Sequence, residues 1–170
     1  MEMQMHPHYW SWRAPDWPAA LVAGFAASAV LMVLELAWAA SLGDTGTWGT
    51  MRMVAAIVMG SGVLEATGFS VGIVTVALLI HYVLGLFSGV MVGILISGFH
   101  WEQSPGVMQA IGAAFGTVIY LVNFFLLSQV FPWFVELRGW STFVGHLVFG
   151  MSASFLYWKL SRPQPASGNR

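Results

Sequence analysis

The chain predicts an all-α membrane protein: four transmembrane helices in one bundle, with a short interfacial or re-entrant helix between the first two. Three observations carry this. Of 170 residues, 58% are hydrophobic and 8% charged, where a soluble domain carries about 25% charged residues. The charges fall between apolar runs, and four runs reach the roughly 20 residues, at about 1.5 Å each, that a bilayer crossing takes. The nine tryptophans gather at the ends of those runs, at the headgroup level, where an indole buries its ring and still satisfies its N–H.

The first helix is expected over about 20–42, preceded by Trp10, Trp12 and Trp17 and closed by Trp38. Ala37-Trp38-Ala39 resembles a signal-cleavage site. The apolar stretch before it exceeds the roughly 7–15 residues of a signal core, however, and its flank holds Glu2 and Asp16 beside Arg13, so it reads as a retained helix. The connection that follows holds an apolar stretch at about 47–60, too short to span, which reads as an interfacial or re-entrant helix. Gly60, Gly62 and Gly68 punctuate its exit. The second helix is expected over about 71–98, with Trp101 beyond it. The third, over about 106–131, has Ser104 to cap it, Pro105 at its first position and Pro132 to stop it. The fourth runs over about 140–160, between Trp140 and Trp158. Residues 1–170 thus form a single integral membrane domain.

An even number of crossings puts both termini on one side. That side holds Arg13, Lys159, Arg162 and Arg170, against Arg52 and Arg138 on the other, which predicts cytoplasmic termini. The lack of cysteine excludes disulfides and thiolate chemistry. With a net charge of −1 and no basic patch, nucleic acid is not an expected partner.

Two pairs of helices look like copies. Gly24, Ser28 and Glu35 match Gly112, Gly116 and Asn123 at an offset of 88, and His81-Tyr82-Val83-Leu84-Gly85 matches His146-Leu147-Val148-Phe149-Gly150 at an offset of 65. The pattern predicts a tandem two-helix repeat whose copies run parallel. The first copy is the longer, and its extra residues include the short apolar helix with Arg52. Small residues every fourth position (Gly85, Gly89, Gly93 and Ser97; Gly150 and Ser154) suit close helix contact in lipid and put the histidines on protein-facing stripes.

Counted inward from the helix ends, Glu35, His81, Asn123 and His146 all fall roughly 10–15 Å below the surface opposite the termini. Polar groups at that depth are candidates for function. His81 and His146 are candidate axial ligands of a haem, with Gly85 and Gly150 leaving room for the macrocycle. Glu35, His81 and His146 together are a candidate set for a divalent metal such as zinc, iron or copper. The same groups could pass protons, with Arg52 as a possible ion-pair partner of Glu35. The competing reading is a polar network that satisfies itself and fixes helix register. No HExxH or Glu-x-x-His pair supports the metal reading. Met1, Met3, Met5, His6 and His8 make a further, short copper-type tail.

The stretches Trp48-Gly49-Thr50-Met51-Arg52-Met53, Tyr120-Leu121-Val122-Asn123-Phe124, Phe131-Pro132-Trp133-Phe134 and His146-Leu147-Val148-Phe149-Gly150 resemble a family of small four-helix bacterial inner-membrane proteins without an established activity. Some members carry automatic symporter-like names. The resemblance, from Ala23 to Lys159, implies four helices and a bacterial inner membrane. With no nucleotide motif, nucleophile triad or extramembrane domain, a stand-alone enzyme is not expected. The leading expectation is an accessory subunit that packs its aromatic and glycine-rich faces against a larger membrane complex of energy transduction or electron transfer. The alternative is a self-contained haem- or metal-binding, or proton- or small-solute-transport, protein centred on the polar cluster.

Overall fold

Small residues face inward and large ones outward along the first helix, the reverse of a soluble core. Ala19, Ala20, Ala23, Ala27 and Ser28 are buried, while Val22, Phe25, Val30 and Val33 are exposed. In lipid, packing rather than hydrophobicity drives helices together, so small side chains belong at the contacts and large apolar ones at the periphery. The structure, a computed structural model, describes residues 13–42, 48–99 and 104–161. Every regular element in them is helical. Three helices are long and apolar enough to cross a membrane, over 17–41, 71–99 and 105–129. Trp10, Trp12, Trp101 and the Met/His tail lie outside the described residues.

Helix α1 (Trp17–Leu42) starts three residues before the expected position. The Asp16 carboxylate accepts the Ala19 amide at 3.1 Å and caps the first turn. Helix α2 (Gly49–Met59) is the short element expected at 47–60. It ends at Gly60, whose φ of 86° is open to glycine. Helix α3 spans Val71–Phe99. Helix α4 (Pro105–Leu121) opens as its sequence predicts, with the Ser104 hydroxyl accepting the Val107 amide and proline in the first turn. Helix α5 (Trp140–Leu160) matches its expected span.

The end of α4 departs from expectation. Regular α geometry stops at Leu121, gives way to a π-helical turn over Val122–Leu126 and then to a 3-10 turn over Leu127–Gln129. Pro132 therefore does not terminate a continuous helix; it opens a separate 3-10 segment, Pro132–Leu137. The π turn frees the Phe124 carbonyl, which accepts from Arg138 Nε at 2.6 Å. Arg138 Nη2 donates to Ser128 Oγ at 2.9 Å, and its guanidinium lies 4.5 Å from the Phe125 ring centroid. Bonds to a charged donor each contribute about 1.5–3 kcal/mol, enough to hold an interrupted helix in one shape.

The long helices do not form a square. α1 packs against both α3 and α5, α5 packs against both α1 and α4, and α3 and α4 scarcely meet. Two of the contacts are glycine-lined. A Cβ on Gly24 would strike the Gly85 carbonyl and come within 2.9 Å of Gly89 Cα. A Cβ on Gly150 would strike the Gly112 carbonyl and come within 2.7 Å of the Gly116 nitrogen. At the terminal end, Tyr157 Oη lies 2.7 Å from Ser97 Oγ and accepts the Asp16 amide at 3.2 Å, tying α5 to α3 and to the start of α1. The gap between α3 and α4 is roofed by α2, which packs on α3. The Trp133 indole donates to the Met53 carbonyl at 3.0 Å and fastens that roof to the 3-10 segment after α4.

Candidate functional site

Glu35 from α1, His81 from α3, Asn123 from the π turn after α4 and His146 from α5 all line one cavity of about 140 Å³. It occupies the gap between α3 and α4. Thr50, Val54 and Ile57 of α2 close it from above, and Phe124, Phe134 and Phe149 supply apolar walls. At roughly 10–15 Å³ of accessible space per molecule, it has room for several waters.

Each polar side chain has a traceable placement. His81 sits one turn before Gly85, at the close contact of α3 with α1. There its Nε2–H donates to the Ser28 carbonyl at 2.9 Å, a bond that fixes the proton on Nε2 and leaves Nδ1 free. His146 is 4% exposed. Its Nδ1–H donates to the Thr142 carbonyl at 2.8 Å, which leaves Nε2 to accept from Asn123 Nδ2 at 3.4 Å. The rings of Tyr120 and Phe124 meet the imidazole edge-on, with centroids 5.9 and 5.3 Å away. The π turn matters here, because it carries Asn123 and Phe124 at the point where the backbone leaves α geometry. Such turns recur at functional sites, and irregular backbone at membrane depth is tolerated where it lines a cavity.

Glu35 is different. Among the described residues it has no hydrogen-bond or ion-pair partner. It lines both the inner cavity and a second, larger one of about 380 Å³ between the C-terminal part of α1 and the N-terminal part of α5. Thr50 and Leu137 are shared in the same way, so these three side chains stand between the two spaces.

The structure places the other expected partners of this cluster as follows. Arg52 does not join the cluster: its Nη1 reaches the Gly68 carbonyl at 3.5 Å, and it lines a surface cavity with Glu136 rather than facing Glu35. Its helix lies across the α3–α4 gap with Thr50, Val54 and Ile57 turned inward, which leaves Arg52 outside. Glu35, His81 and His146 share a cavity without converging as ligands; among the described residues no group of three such side chains is arranged to hold a metal ion. His81 and His146, the expected haem pair, both line the cavity. The Nε2 of each ring is engaged, by the Ser28 carbonyl in one case and by Asn123 in the other.

Sequence reading missed Arg138 and Trp133, which shape the site from outside it. An arginine beside an interrupted apolar helix is a usable signal for the first. No local signal points to the second, whose partner lies 80 residues away. No family model matches the chain, and no match is found among curated proteins or solved structures.

Proposed function

We propose that the chain is a self-contained membrane protein that takes up a proton in the inner cavity and moves it across the bilayer, using Glu35, His81 and His146 as carriers and Asn123 as the group that orients His146. One observation carries this reading: four polar side chains, one from each long helix or its extension, meet in a single small cavity. Intramembrane carboxylates and imidazoles are costly, and in proton pathways they line the interior of a bundle.

The chemistry follows from the hydrogen bonds. A proton arriving at His146 Nε2 turns that atom from acceptor to donor, so Asn123 must rotate its carboxamide to present oxygen instead of nitrogen. His81 Nδ1 and the Glu35 carboxyl, which has no partner among the described residues, are free to exchange protons with water between them. Beyond the cavity, Ala23, Ala27, Val92, Ile96 and Ala153 belong to one buried cluster. Movement through that layer requires a change of conformation, so transport is stepwise and slow compared with an open channel.

In this reading α5 is the fourth crossing. It is 21 residues long, and its His146, Ser154 and Tyr157 are buried within the bundle. We read the two helix pairs as tandem copies, a reading supported by matching contacts: Gly24 meets Gly85 and Gly89, and Gly112 meets Gly150 and Ser154, partners that correspond under the offsets of 88 and 65. The protein sits in a bacterial inner membrane with cytoplasmic termini, so the larger cavity, at the opposite end of α1, faces outward. The accessory-subunit reading rests on aromatic and glycine-rich faces; the glycine-rich ones are occupied within the chain, while Phe25, Phe87 and Phe125 remain exposed for a partner. Liposomes carrying the purified protein are expected to lose an imposed pH gradient faster than empty ones. Equal rates, with a folded protein in the membrane, would remove proton movement from its functions.

A further inference from the structure

The larger cavity has a chemistry of its own. Its volume of about 380 Å³ falls within the range of small-molecule sites. Two carboxylates, Glu35 and Glu136, and two indoles, Trp38 and Trp140, line it, and among the described residues no lysine, arginine or histidine does. Neither carboxylate has a hydrogen-bond or ion-pair partner among the described residues. Arg52 faces a separate surface cavity on the other side of Glu136. Trp38 and Trp140 are 46% and 72% exposed, so both indoles keep accessible surface.

We propose that this cavity binds an organic monocation, an alkylammonium or quaternary ammonium group held against Glu35 and the faces of Trp38 and Trp140. An ammonium next to an indole face is attracted by the ring quadrupole, and the attraction grows as water is excluded. The buried end of the cavity supplies the carboxylate and the exposed end the aromatic surface. A cation bearing an apolar substituent therefore fits with its charge inward, beside Glu35. Val144 and Val148 of α5 offer apolar contact along the way. An anion would meet two carboxylates and, among the described residues, no positive side chain. A neutral apolar molecule would leave Glu35 desolvated without compensation. The site shares Glu35 with the proton-handling cavity but does not require protons to move through it.

The charge can come from a free amine or from an ammonium headgroup of a lipid, and both present the same group. The test is calorimetric titration of the full chain in a maltoside detergent, without added lipid, using choline and its uncharged carbon isostere 3,3-dimethylbutan-1-ol. Choline is expected to bind saturably and the isostere not at all. Glu35→Gln is expected to weaken choline by on the order of tenfold, the loss of one charge-assisted contact, and Trp140→Ala by about threefold. A circular-dichroism spectrum of each variant separates loss of charge from loss of fold. If added phosphatidylethanolamine, but not ethanolamine at equal concentration, displaces choline, the ammonium site is a headgroup site. No binding of choline, equal binding of the isostere, or unchanged affinity in Glu35→Gln would overturn the proposal. Choline binding without proton flux would instead remove the proton reading and leave this site standing.

Discussion

Replacing Gly150 by valine is expected to destroy the folded bundle. Gly150 faces the backbone of α4, and even a single added carbon would strike the Gly112 carbonyl and lie within 2.9 Å of Gly116 Cα. No flexible side chain is there to yield, so α4 and α5 would have to separate. Separation would also break the bond from Ser154 Oγ to the Met108 carbonyl, 2.8 Å long and fully buried. The cost of such overpacking is about 3 kcal/mol or more. Gly72 provides the control, since a Cβ there would meet nothing within 4 Å. Thermal unfolding in detergent, followed by size-exclusion chromatography, should show Gly150→Val aggregated or strongly destabilised and Gly72→Ala close to wild type. A normal melting profile for Gly150→Val would mean that α4 and α5 are not in this contact.

Glu35→Gln should separate function from stability. The carboxyl group has no partner to lose among the described residues, and the amide has the same shape. Replacing an uncompensated ionisable group in an apolar setting by a neutral one usually maintains or raises stability. The proton it would carry is lost altogether. Flux is expected to fall at least about tenfold, a lower bound on the roughly 10²–10⁴-fold effect of one acid–base group, while the unfolding midpoint stays the same or rises. Loss of both together would instead mark Glu35 as a structural residue.

Much of the fold is legible in the chain because lipid leaves few options. Backbone polar groups must be satisfied within each segment, so apolar runs become helices, and Ser104, Pro105, Trp17, Trp140 and Trp158 mark where they end. The polar cluster is legible for the same reason: Glu35, His81, Asn123 and His146 are too costly to face lipid, and inward-facing groups at one depth meet. Their surroundings are not legible. Whether four helices close into a square or leave α3 and α4 apart depends on pairwise packing, and the glycines specify which pairs approach without specifying the gap. The gap in turn gives α2 a place to lie, sends Thr50 inward and takes Arg52 away from Glu35. The π turn at Val122–Leu126 depends on Arg138, which catches a carbonyl 14 residues back in the chain. Periodicity carries no trace of that bond. The position of Glu35 between two cavities likewise emerges only from the packing of α1 against α5.

The most direct test of a shared proton-handling cavity is a double-variant cycle on flux. Rates of pH-gradient decay, corrected for the leak of empty liposomes, would be compared for wild type, Glu35→Gln, His146→Gln and the pair. Groups that act in one relay are not additive, since breaking either interrupts the same path. The expected result is a pair no slower than the slower single variant. Losses that multiply as independent effects, or a wild-type rate equal to the leak, would contradict a shared cavity in which these residues work together.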